Sequence, residues 1–114
     1  MAERISAEQA QEEIKTNQAI LVDVREEDEL LNEGIAEPAV WMPMSQIAAG
    51  DPAYQKFLST LSKDKKVIIY CHAGGRAGRF AAHLTQQGYK AANMGGLSDW
   101  VDANLPVKPW QART

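Results

Sequence analysis

The sequence predicts an α/β fold, with a mainly parallel central sheet of about five strands and helices on both faces. Two short runs, Ala19 to Val24 and Lys66 to Cys71, are rich in β-branched residues and too short for helices, so they read as strands buried on both faces. Segments with helical spacing alternate with them, which calls for crossover connections between parallel strands. A length of 114 residues fits one domain, 1–114, with a core large enough to need no disulfide or metal staple.

Taken in order, Ser6 is an N-cap candidate for a helix carrying Ala7, Ala10 and Ile14 on one face. Ala19 to Val24 is the first strong strand. Glu26, Glu27, Asp28 and Glu29 read as a solvated helix start with favourable dipole contacts. A weaker strand at Val40 to Met42 is closed by Pro43, and Asp51-Pro52 caps and starts a helix with Tyr54, Phe57, Leu58 and Leu61. The strand ending at Cys71 feeds the best-defined helix, about Arg76 to Gln87, where Ala77, Phe80, Ala81 and Leu84 share a face and Gly88 is the stop. A fourth strand is expected at Tyr89 to Asn93. Gly95-Gly96 then precedes a helical patch with Leu97, Trp100 and Val101, and Pro106 and Pro109 mark an irregular tail. Trp100 and Trp110 are expected to pack this end on the core.

Composition narrows the function. Twelve Lys and Arg against 15 Asp and Glu give a net charge of −3 with no basic run, which argues against a nucleic-acid partner. A single cysteine forms no internal disulfide, and no apolar stretch resembles a signal peptide or a membrane span. The expectation is a soluble, cytoplasmic, monomeric chain. His72 and His83 lack the partners and spacing of a metal site, and His83 falls on a surface position. The glycines of 74–78 do not form a nucleotide fingerprint. Neither a metal nor a cofactor is expected.

The chemistry concentrates at Cys71-His72-Ala73-Gly74-Gly75-Arg76. Ligands of open parallel sheets bind beyond the carboxyl ends of strands, and this loop lies at such an end. Small residues leading into a helix N-terminus turn several backbone N–H groups inward as a nest for an anion. A thiolate is an anion, so the same arrangement stabilises Cys71 as a nucleophile. Arg76 adds a fixed positive charge able to fork onto an oxyanion. A free cysteine is ordinarily an inert small hydrophobe. Two glycines and an arginine within five residues, at a strand-to-helix junction, point instead to a reactive one.

Four landmarks in register now resemble the rhodanese family over nearly the whole chain. They are Leu21-Val-Asp-Val-Arg25, Pro43-Met-Ser45, Val67 to Arg76, and Gly95-Gly-Leu-Ser-Asp-Trp100. The resemblance implies a single-domain rhodanese-like sulfurtransferase, in which Cys71 takes a sulfane sulfur from thiosulfate or a similar small donor. It holds that sulfur as a persulfide and passes it to cyanide, a thiol or a protein thiol. It further implies that His72, Ala73, Gly74, Gly75 and Arg76 supply the inward amides, and that Arg76 binds the donor's anionic end. Asp23 and Arg25 read as a structural ion pair or rim element behind the site. Two alternatives stay open: a phosphatase-like enzyme on the same fold and a non-catalytic binding module. Related phosphatases place five residues between cysteine and arginine, whereas four stand here, and inactive members typically lose the cysteine that this chain keeps. The segment Gly34 to Ala39 departs from the family pattern, which often has a Gly-His-Ile step there.

Overall fold

A computed structural model describes residues 3–111. The elements in chain order are β1 (Glu3–Arg4), α1 (Ala7–Lys15), β2 (Ala19–Asp23), α2 (Glu27–Glu33), β3 (Ile35–Ala36), β4 (Val40–Trp41) and α3 (Met44–Ala49). They continue with α4 (Pro52–Ser59), β5 (Lys66–Cys71), α5 (Gly75–Gln86), β6 (Ala91–Gly96), α6 (Leu97–Asp102) and β7 (Val107–Lys108). Five strands form one parallel sheet in the order β1-β6-β5-β2-β4, as the alternation of strands and helices predicts.

Alternation along the strands divides the interior in two, because successive side chains leave opposite faces of a sheet. Leu21, Ile68 and Tyr70 pack with Ala7 and Ala10 of α1 and with Leu97 and Trp100 of α6. Val22, Val67, Ile69 and Cys71 face the other way, against Phe80, Ala81 and Leu84 of α5 and Tyr54 of α4. Both faces are therefore covered. Among the described residues, no helix is long and apolar enough to cross a membrane.

The helix caps follow the local sequence. The Gln9 N–H donates to the Ser6 hydroxyl at 3.1 Å, and the Tyr54 N–H donates to Asp51 at 3.1 Å. Two expectations need correction. The last strand of the sheet runs from Ala91 to Gly96 rather than Tyr89 to Asn93, because a register irregularity opposite Ile69 and Tyr70 carries Gly95 and Gly96 into the ladder. The tail after Pro106 is ordered as well: β7 pairs antiparallel with β3, the Trp100 indole donates to the Pro106 carbonyl at 2.8 Å, and Trp110 meets Trp41 edge-on at 5.0 Å. The atypical segment after Gly34 supplies the partner strand for that tail.

The strand order reverses between β2 and β5, since the chain leaves β2 toward β4 and leaves β5 toward β6. That reversal opens a crevice at the carboxyl ends of β2 and β5. Its β2 side is fixed by Asp23 and Arg25, both fully buried. The Arg25 side chain donates to both Asp23 oxygens at 2.9–3.2 Å and to the Gly34 carbonyl at 2.6 Å, while its own carbonyl accepts from the Trp41 indole at 2.7 Å. Burial acts to lower the guanidinium's pKa, but the hydrogen bond and charge of Asp23 more than offset it and hold the group above its ordinary value. Removing one partner would strand the other charge in the interior. Arg25→Ala should therefore cost about 3–5 kcal/mol in urea unfolding, and Arg25→Lys should recover little, because an ammonium cannot fork to Asp23 and reach Gly34 together.

Candidate active site

Cys71 is the last residue of β5 and is 1% exposed, so its sulfur lies beneath the loop that follows. The Gly74 N–H donates to Cys71 Sγ at 3.0 Å. Gly74 is the N-cap of α5 with φ +103°, a conformation in which a residue bearing Cβ is strained. The N–H groups of the first α5 turn, which have no partner within the helix, follow directly, and their partial positive charge lies at the same end of the helix. His72, Ala73 and Gly75 are exposed, and they frame the approach to the sulfur.

The loop is pressed onto the end of β6. Cys71 lies opposite Gly96 in the ladder, and a Cβ at Gly96 would collide with the His72 carbonyl. Asn93, a buried polar residue of β6, donates from Nδ2 to the Gly74 carbonyl at 3.0 Å and accepts the Gly95 N–H on Oδ1 at 2.9 Å. Beside the loop lies an open depression of about 530 Å³, bounded by His72 and Ala73, by Leu97, Asp99 and Val101 of α6, and by Glu33 of α2.

Arg76 differs from the expectation drawn from its position. Its Nη1 and Nη2 donate to the two carboxylate oxygens of Glu29 at 2.7 and 2.9 Å, so its fork is closed on the protein itself. Glu29 does sit in the first turn of α2, where it accepts the Glu26 N–H at 3.0 Å, but it is paired rather than solvated. The Arg76 hydrogen bond holds its carboxyl down from the ordinary 4.5 to about 2, and Glu29 in turn raises Arg76. Glu26 is also engaged, accepting from the Ser45 N–H at 3.1 Å and the Ser45 hydroxyl at 2.6 Å. Asp23 and Arg25 stand behind Tyr70, whose ring carries the guanidinium at 5.7 Å and whose hydroxyl accepts from the Ala36 N–H at 3.0 Å. His83 is exposed on α5.

Comparison with known proteins fits this geometry. The model of the rhodanese-like domain matches residues 6–103. The chain belongs to the rhodanese-like family. Its relatives include a protein named sulfurtransferase from Allochromatium vinosum, 34% identical over 94 residues that cover 81% of this chain and 80% of that one. The thiosulfate sulfurtransferase GlpE of Coxiella burnetii is 30% identical over 102 residues, 88% of each chain. Among solved structures, a rhodanese-like domain protein from Staphylococcus aureus superposes with a TM-score of 0.71 at 25% identity, covering 93% of this chain and 98% of that one.

Sequence reading of this rhodanese-like domain singles out Cys71 and its loop, whereas Glu29 and Asn93, which bond to that loop, carry no local signal. Glu29 lies 47 residues from Arg76, and its neighbours are acidic, so no local pattern sets it apart.

Two outcomes follow. The Glu29–Arg76 contribution is complete above about pH 4.5, because the folded carboxyl titrates below its unfolded value, and it disappears as pH falls toward 2. Glu29→Gln should lose about 1–3 kcal/mol near neutral pH and show a flatter stability profile across that acid window, read by urea unfolding at a series of pH values. Gly96→Ala should displace the loop, because the obstructing atom is backbone; slower Cys71 alkylation with β-sheet circular dichroism retained is the expected result.

Proposed function

We propose that this rhodanese-like domain is a sulfurtransferase that carries sulfane sulfur on Cys71. The observation that supports this most directly is the Gly74 N–H on Cys71 Sγ at 3.0 Å, in a loop that opens a helix N-terminus. A negative sulfur in that position meets preorganised donors and requires no reorientation of solvent. The names of the bacterial relatives, sulfurtransferase and thiosulfate sulfurtransferase, support the same reading.

In the first step the Cys71 thiolate attacks the outer sulfur of thiosulfate. The new Cys71 S–S bond forms as the donor's S–S bond breaks, and its electron pair leaves with sulfite. The terminal sulfur of the persulfide carries the negative charge, and the amides of His72 to Arg76 stabilise it. In the second step cyanide or a thiol attacks that terminal sulfur. The electron pair of the cysteinyl S–S bond returns to Cys71, releasing thiocyanate or a persulfide of the acceptor. The cycle is covalent and of the ping-pong kind.

Arg76 contributes charge at the loop from within its pair with Glu29. A donor oxyanion reaching the guanidinium directly would have to displace one carboxylate contact. Asp23 and Arg25 act at a distance by fixing the β2 end of the crevice. The depression beside His72 and Ala73 lies next to the loop, on the side from which an acceptor would approach.

Incubation with thiosulfate should raise the intact mass by one sulfur atom and release an equal amount of sulfite. Cyanide should then restore the mass and yield thiocyanate. Cys71→Ser should lower turnover by roughly 10³-fold or more. Retained turnover in that variant, or turnover of an aryl phosphate in place of sulfur transfer, would overturn the assignment.

A further inference from the structure

We propose that Asn93 is a positioning residue for sulfur chemistry at Cys71, acting by holding the Gly74–Gly75 peptide in the orientation that presents its N–H to the loop. This deepens the sulfurtransferase reading and rests on it for its functional meaning.

Asn93 is only 7% exposed, and both ends of its carboxamide are used. Oδ1 accepts from the Gly95 N–H two residues on, which caps the irregularity in β6; Nδ2 leaves that strand and reaches the Gly74 carbonyl across 19 positions of sequence. The Gly74 carbonyl also accepts the first intrahelical bond of α5, from the Gly78 N–H at 2.9 Å. Two donors from different elements therefore fix one carbonyl. Peptide planarity does the rest: in a trans peptide the Gly75 N–H points opposite to the Gly74 carbonyl, so it is directed away from Asn93. Gly75 is the first residue of α5, where a helix leaves its N–H without an internal partner.

The same carbonyl constrains Gly74 itself, whose N–H reaches Cys71 Sγ. With φ at +103°, Gly74 sits in a region that glycine enters freely and can as freely leave. A flexible residue kept in one state needs an external restraint, and Asn93 supplies it from the rigid sheet. Space has been left for the contact. A Cβ at Gly78 would stand 3.1 Å from Asn93 Nδ2, close enough that the carboxamide would have to shift.

Asn93→Asp and Asn93→Ala test the assignment in the full chain. Ionised aspartate keeps the shape and the acceptor for Gly95 but has no donor for Gly74, while alanine removes both groups and adds no charge. Both variants should retain the parent's far-ultraviolet circular dichroism, and both should alkylate with iodoacetamide about three- to tenfold more slowly near neutral pH. The Gly74 amide proton should move upfield in each as its bond to sulfur weakens. An aspartate variant that matches the parent in both readouts would confine Asn93 to the β6 irregularity and overturn the proposal. A fall seen with aspartate alone would be a charge effect and would overturn it too, as would loss of fold in both. Alkylation needs no sulfur donor. A parent chain that gains no mass from thiosulfate would therefore defeat the sulfurtransferase reading without touching this comparison.

Discussion

A buried guanidinium is the constraint on which this molecule is arranged. Arg25 must find acceptors on every side, and it takes them from Asp23 on its own strand end and from the Gly34 carbonyl beyond α2. These contacts tie the end of β2 to Gly34, the C-cap of α2, while a capping box of Glu26 and Glu29 starts that helix and places Glu29 within reach of Arg76. One interior charge thus anchors the far end of a helix, and that helix forms one wall of the crevice in which Cys71 lies. A hydrophobic residue at 25 could fill the volume, but it would leave the turn after β2 without its fixed direction.

The other wall is built from backbone and one carboxamide. β6 approaches the loop so closely that Gly96 has no room for a side chain, and Asn93 ties the loop from the same strand. Glu29 and Asn93 hold opposite sides of a six-residue segment that has few bulky groups of its own. A loop of small residues exposes its amides well but cannot order itself, so the order is imported from the two flanking elements.

Much of this was legible in the sequence because the governing signals are local. β-branched runs marked β2 and β5, the Ser6 and Asp51 caps marked α1 and α4, and the glycine-rich junction after Cys71 marked the loop. What escaped depends on pairs far apart along the chain. Glu29 reads as one of four consecutive acids until Arg76 is placed beside it. The strand expected at Tyr89 to Asn93 is there, but its continuation through Met94 to Gly96 carries few strand-forming residues and is drawn into the ladder by β5. The tail is flanked by prolines, yet it extends β3, a partner of two residues that has no signature alone. In each case tertiary context overrode a weak local preference.

The parallel pairing of β1 with β6 carries a consequence for biosynthesis. Residues 3–4 are made before residues 92–93 yet acquire their partners only when these have followed, with the strand that ends at Cys71 made between them. Cys71 leaves the tunnel before Asn93 and Gly96, the residues against which its loop is moulded. A nascent chain halted just past α5 would carry the cysteine without the strand that shapes its loop, so the surroundings of the sulfur are completed only when β6 has been made.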